Sequence, residues 1–126
     1  MGNAIAWFEI YVDNMDRAKA FYEAVFQTNL KSLIPGGHEG GLQMWAFPSD
    51  QNSYGAPGAL VKMEGFAAGA NSVIVYFACQ DCAVEEARVQ QFGGRIHRPK
   101  TSIGEYGFIS LVYDTEGNLI GLFSMA

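Results

Sequence analysis

Apolar and polar positions along the chain switch twice from strand-like to helix-like periodicity. The segment from Ala4 to Val12 is β-rich and predicts a strand. After Asp13 and Asn14, either of which can cap a helix, Ala18, Phe21, Tyr22, Val25 and Phe26 recur at helical spacing, so a helix packs on that strand's sheet. The order returns from Val73. An apolar run to Cys79 meets Asp81 as a cap, a helix extends to Phe92, and Gly93-Gly94 stops it, because glycine accepts the left-handed conformation at a helix end. Most residue identities differ between the copies, so what repeats is a pattern of polarity, the mark of a duplicated unit.

The remaining punctuation completes each copy. In the first, Pro35-Gly36-Gly37 is a turn, Leu42 to Phe47 a short strand, Pro48 to Pro57 a polar loop, and Gly58 to Met63 a further strand. Glu64 to Asn71 is a Gly/Ala-rich connector. In the second, Ile96 begins the return, Phe108 to Tyr113 is a strand, Asp114 to Gly117 a turn, and Leu119 to Phe123 the closing strand. The expectation is an α+β protein of two βαβββ modules, about 4–64 and 72–125, in a single domain spanning 1–126. Two such halves side by side leave a cleft for a small molecule.

Composition narrows the partners. A chain of 126 residues with 49% hydrophobic and 17% charged residues can build a real core. Its net charge of −5 offers no basic face, which argues against nucleic acid and against an anionic membrane surface. No stretch approaches the ~20 apolar residues of a membrane span, and no export signal is visible, so the expected location is cytoplasmic. Cys79 and Cys82 form a C-x-x-C pair without the further ligands a zinc site needs, and both read as half-buried small residues rather than a redox pair. The glycine-rich run from Gly36 to Gly41 lacks the Lys-Ser/Thr ending of a nucleotide loop and reads as a flexible rim with His38 exposed.

The segments Val12-Asp13-Asn14-Met15-Asp16-Arg17-Ala18-Lys19-Ala20-Phe21-Tyr22, Gly93-Gly94 and Asp114-Thr115-Glu116-Gly117-Asn118-Leu119-Ile120-Gly121-Leu122 resemble the vicinal oxygen chelate superfamily. This is the group of glyoxalases, bleomycin resistance proteins and extradiol dioxygenases. The resemblance spans essentially the whole chain and implies paired βαβββ modules forming a curved mixed sheet around a cleft, usually in a homodimer. In metal-dependent members, His, Glu or Gln on inward strand positions hold a divalent ion. The resemblance places those positions at Trp7, at Val61 or Lys62, at Ile74 and at Gly121. None supplies the oxygen or imidazole donors that a hard cation requires.

What remains is a different constellation. Strand alternation points Trp7 and Glu9 to one face, so Glu9 is a candidate general base or hydrogen-bond anchor. Among Phe8, Ile10 and Trp45, its ionised form is costly to bury unless a cation or donor pairs with it. The alternative is a structural carboxylate paired with Lys62 or with backbone donors. The run from Arg95 to Gly107 gathers three basic residues and His97, then Glu105-Tyr106 between glycines, and reads either as a loop folding over the cleft or as a solvated hairpin. Lys100 can hold a substrate anion there, and Tyr106 can donate a hydrogen bond.

Two functions follow. One is a metal-independent, glyoxalase-like enzyme with Glu9 and Tyr106 catalytic and with Trp7, Trp45, Lys62, His97, Lys100 and Glu105 contacting substrate. The other is a protein that sequesters a small aromatic or apolar molecule. Both take a small-molecule ligand, a homodimer and no cofactor; an atypical metal site would need Glu9, His97 and Glu105 to converge. The ligand count predicts purified protein without a stoichiometric divalent metal, and elemental analysis finding one ion per subunit would overturn it.

Overall fold

A computed structural model describes residues 2–126 as two modules with the same element order. The first contains β1 (Phe8–Tyr11), α1 (Met15–Phe26), β2 (Lys31–Ser32), β3 (Gln43–Ala46) and β4 (Gly58–Lys62). The second contains β5 (Tyr76–Ala78), α2 (Cys82–Gln91), β6 (Arg95–Ser102), β7 (Phe108–Tyr113) and β8 (Leu119–Ser124), with a short 3-10 turn at Gly104–Tyr106. Each module is a four-stranded mixed sheet, ordered β1-β4-β3-β2 and β5-β8-β7-β6. The α+β class and the repeated βαβββ order are those read from the sequence.

Strand ends depend on partners that local pattern does not contain. β1 begins at Phe8 rather than Ala4, because its parallel pairing with β4 runs only from Phe8↔Gly58 to Tyr11↔Val61. β5 is likewise short, pairing Tyr76 to Ala78 with Gly121 to Phe123 of β8. The caps fall where polarity put them. Asn14 accepts a hydrogen bond from the Arg17 amide and Asp81 accepts one from the Ala83 amide, satisfying helix N–H groups otherwise left without partners.

One buried cluster draws on both modules. Ile10, Val12, Ala18, Phe21, Tyr22 and Val25 of the first pack with Cys82, Val89, Val112, Ile120 and Leu122 of the second. The rings of Phe8 and Phe77 meet edge-on across the junction at 6.0 Å, and Phe26 stacks on Phe77 at 4.6 Å. Gly58 is required beneath Phe8, since a side-chain carbon there would enter the ring.

The β7–β8 turn ties the modules together. Glu116, its side chain fully buried, accepts hydrogen bonds from the Asp13 and Asn14 amides and from Arg17 Nε (2.6 Å) and an Arg17 terminal nitrogen (3.0 Å). Asp114 accepts from the hydroxyl of Tyr22 at 2.7 Å, from the Glu116 and Asn118 amides, and from the Asn118 side chain. Asn118 Nδ2 also donates to the carbonyl of Tyr11, and Asn118 Oδ1 accepts from the Gly69 amide in the connector.

The two carboxyls of this turn are displaced in opposite directions. Burial dominates at Asp114 and raises it above the ordinary value, despite donors from Tyr22, Asn118 and Glu116. At Glu116, burial also pushes upward, but hydrogen bonds from Arg17, Asn14, Thr115 and Asp13 outweigh it and hold the carboxyl below the ordinary 4.5. A carboxyl held down in the fold contributes stability that is present above its unfolded value and is lost as pH falls through its folded one. Glu116→Gln is expected to cost about 1–3 kcal/mol at neutral pH, and the gap to the parent protein to shrink as pH drops below the ordinary carboxyl range. Urea unfolding across that range measures it. Tyr22→Phe, which strands a buried carboxylate without its hydroxyl donor, is expected to cost about 1–3 kcal/mol by the same assay.

Candidate functional site

Register divides each sheet into a face against the helices and an open face. Ile10 pairs with Leu60 on the helix side, so Glu9 and Tyr11, beside Ala59 and Val61, lie on the open face. Met44 and Ala46 extend that face on β3, opposite Val61 and Ala59. In the second module, Tyr76 lies beside Gly121, which pairs on its other side with Leu111. Gly121 is the space under the Tyr76 ring, because a side-chain carbon there would collide with it.

On the open face of β1, an edge strand of the first sheet, a carboxylate is held by two aromatic donors. Trp7 Nε1 donates to Glu9 Oε2 at 3.1 Å, and the Tyr11 hydroxyl donates to Glu9 Oε1 at 2.7 Å. Glu9 and Tyr11 are neighbours on one face of β1, and Trp7, the residue just ahead of the strand, continues the same alternation. The bond to Glu9 raises the Tyr11 hydroxyl above its ordinary value, with burial and the carboxylate's charge adding to it. The Tyr11 ring stacks on Phe66 of the connector at 5.1 Å. Beside them is a cavity of about 210 Å³ between β1, the start of β8 and the connector, lined by Glu9, Tyr11, Ala67, Asn71, Val73, Val75, Asn118 and Leu119 among others.

Glu9 is exposed and on the opposite side of the strand from Phe8 and Ile10, so donors from Trp7 and Tyr11, rather than a basic residue, satisfy it. Trp7 is 41% exposed. Of the other residues singled out in the sequence, Trp45 pairs with Leu60 and therefore faces the helices, with Lys19 Nζ 3.3 Å above its ring. Lys62, on the face of Leu60 and opposite Gln43, is turned away from Glu9. Lys100 is committed to α2: its Nζ meets Asp81 at 2.8 Å and its amide donates to Glu86, and the bond to Asp81 raises its ammonium further above the ordinary value.

His97 is exposed on β6 with its ring edge-on to Tyr113 at 5.5 Å. Glu105 and Tyr106 occupy the tip between β6 and β7, where Tyr106 is 69% exposed. Trp7 and Glu9 thus come together, and the other six residues line neither the Glu9 cluster nor its cavity. Tyr11 went unremarked in the sequence although the alternation that aligned Trp7 with Glu9 continues directly to it. Asn71 and Asn118 carried no local signal, because the cavity forms only when the connector and β8 meet β1.

The metal-ligand positions implied by the resemblance carry no donors. Register puts Val61, not Lys62, beside Tyr11 and puts Gly121 beside Tyr76 on the open faces, while Trp7 and Ile74, the other positions the resemblance implies, precede β1 and β5. Among the described residues no three His, Cys, Asp or Glu side chains gather as a metal site, and Glu9, His97 and Glu105 lie on separate elements. These residues do not fit the family's divalent ion. Cys79 and Cys82 are free thiols, the second buried, and Cys79 is pushed up to about 12 by burial first and then by Glu85, which removes the thiolate that redox chemistry needs.

Glu9 and Glu116 are predicted to separate by experiment. Glu9→Gln, on an exposed face, is expected to shift unfolding free energy by no more than about 0.5 kcal/mol, in contrast to the buried Glu116. Chemical denaturation of the two variants side by side checks this, and a large loss for Glu9→Gln would make that residue structural.

Known proteins share this architecture. An antibiotic binding protein, TnmS3, from Streptomyces sp. CB03234 is 24% identical, with 100% of this chain and 99% of that one covered at a TM-score of 0.67. A glyoxalase/bleomycin resistance protein from Albidiferax ferrireducens T118 is 18% identical over 97% and 98% of the two chains, with a TM-score of 0.68. A glyoxalase-related enzyme from Fulvimarina pelagi is 14% identical over 95% and 86%, with a TM-score of 0.68. These likenesses establish the fold. No curated protein matches the sequence. The model of the Glyoxalase/Bleomycin resistance protein/Dioxygenase superfamily matches residues 4–122, nearly the full length of the two-module fold, and the chain belongs to that superfamily.

Proposed function

We propose that this protein binds a small, largely apolar molecule at the open face around Glu9 and holds it without converting it. The observation that carries this reading is the composition of the site. A single carboxylate, fixed by Trp7 and Tyr11, borders a mainly apolar cavity of about 210 Å³, and among the described residues the only other titratable side chain on the cavity wall is Tyr11 itself. A catalytic base also calls for a separate donor to stabilise developing charge on the substrate, and the two donors beside Glu9, the Trp7 indole and the Tyr11 hydroxyl, are both directed at Glu9 itself. Lys100 is bound to Asp81 and Tyr106 lies at the β6–β7 tip, so neither attends Glu9.

Binding and sequestration are compatible with the relative described as an antibiotic binding protein. The reading includes a cytoplasmic homodimer. Trp7 and Tyr76, 41% and 47% exposed on the open faces, are the apolar surface that a second copy or a bound ligand would cover. No helix among the described residues is long and apolar enough to cross a membrane.

A thermal-shift screen of aromatic and aliphatic small molecules tests the reading. Ligands that raise the melting temperature are expected to lose that effect in Trp7→Ala and Tyr11→Phe but to keep it in Tyr106→Phe. Chemical turnover of a stabilising ligand that requires Glu9 would replace sequestration with catalysis.

A further inference from the structure

We infer that the molecule held at this site carries a protonated amine, seated on the Glu9 carboxylate with its apolar body in the adjoining cavity. The inference rests on the binding reading and specifies its ligand. It starts from the hydrogen-bonding capacity left on the cavity wall. Asn71 is consumed: Nδ2 donates to the carbonyls of Val73 and Leu119, and Oδ1 accepts from the Leu119 amide. Asn118 is consumed as well, between Tyr11, Asp114 and Gly69. The Tyr11 hydroxyl spends its one donor on a hydrogen bond to Glu9.

Glu9 retains capacity. An ionised carboxylate offers about four acceptor positions, and Trp7 and Tyr11 take two. The two donors are neutral, so they fix the carboxylate's direction without cancelling its charge. Among the described residues no Lys, Arg or His forms an ion pair with Glu9; the ion pairs are Arg17–Glu116, Arg88–Glu85 and Lys100–Asp81. Among the described residues of the cavity wall, the side-chain capacity left over is acceptor capacity, on the oriented Glu9 carboxylate and the Tyr11 oxygen, so the wall accepts a donor and repels an anion.

Size and surroundings narrow the class further. About 210 Å³ bounded by Val73, Val75, Leu119 and Ala67 suits one ring or a short chain rather than a sugar or a polyanion. A bare metal ion finds one carboxylate and no further ionised donor there, so an organic cation is the better match. The Tyr11 ring, braced by Phe66, gives that cation an aromatic neighbour. The chain's net charge of −5 favours the approach of cations over anions.

The test uses the full chain and three probes of one shape: 2-phenylethylamine, 2-phenylethanol and 3-phenylpropionate. Isothermal titration at neutral pH is run on the parent protein and on Glu9→Gln, whose fold is checked by circular dichroism. The amine is expected to bind at least about tenfold more tightly than the alcohol, in the range that a partly screened ion pair with an aromatic contact supplies. The acid is expected to bind most weakly, and Glu9→Gln to bring amine and alcohol within about twofold. Equal binding of amine and alcohol to the parent, tightest binding of the acid, or undiminished amine preference in Glu9→Gln overturns the inference while leaving small-molecule binding in place. Failure of all three probes to bind at millimolar concentration overturns both.

Discussion

The structure depends on the burial of one turn. Asp114 to Asn118 leaves the second sheet and inserts its polar groups at the start of α1, where Glu116 takes two backbone amides and Arg17, and Asp114 takes the hydroxyl of Tyr22. Buried polar groups are tolerable only when they are fully paired, and here each module supplies what the other lacks. Because Asn118 also grips the Tyr11 carbonyl and the connector at Gly69, the same turn sets where β1 lies against β8. The cavity beside Glu9 is a consequence of that placement.

Carboxylates are therefore divided by environment. Asp114 and Glu116 are buried, many times hydrogen-bonded and shifted in opposite directions, one by desolvation and the other by its donors. Glu9 sits on the exposed side of β1 with two neutral donors and no cation. The first two hold the fold, and the third is the carboxylate on which the proposed ligand site is built. Fold membership does not choose among the chemistries of this superfamily. The side chains on the open faces differ from one member to the next, and here Val61 and Gly121 stand there, neither of which carries a donor for a metal.

Much of this was legible in the sequence where information is local. The two helices, their acidic or amide caps and the repeated order follow from period and polarity, and Asn14 and Asp81 cap as their positions suggested. What pattern could not resolve was parity and pairing. Trp45 and Lys62 sit on strands of the first sheet, but register turns both toward the helix side, away from Glu9. Lys100 looked free because its partner Asp81 is distant in sequence and meets it only when β6 packs on α2. Tyr11 was within reach of the alternation argument, while Asn71 and Asn118 belong to a cavity made by the junction and by nothing local.

The two tryptophans of the chain lie on opposite faces of the first sheet, Trp7 beside Glu9 and Trp45 beneath Lys19. The indole N–H resonances of a 15N-labelled sample during titration with a stabilising ligand thus test the central claim most directly. The account predicts that the Trp7 resonance moves with ligand while that of Trp45 stays in place. Movement of Trp45 alone, with Trp7 unperturbed, would contradict it.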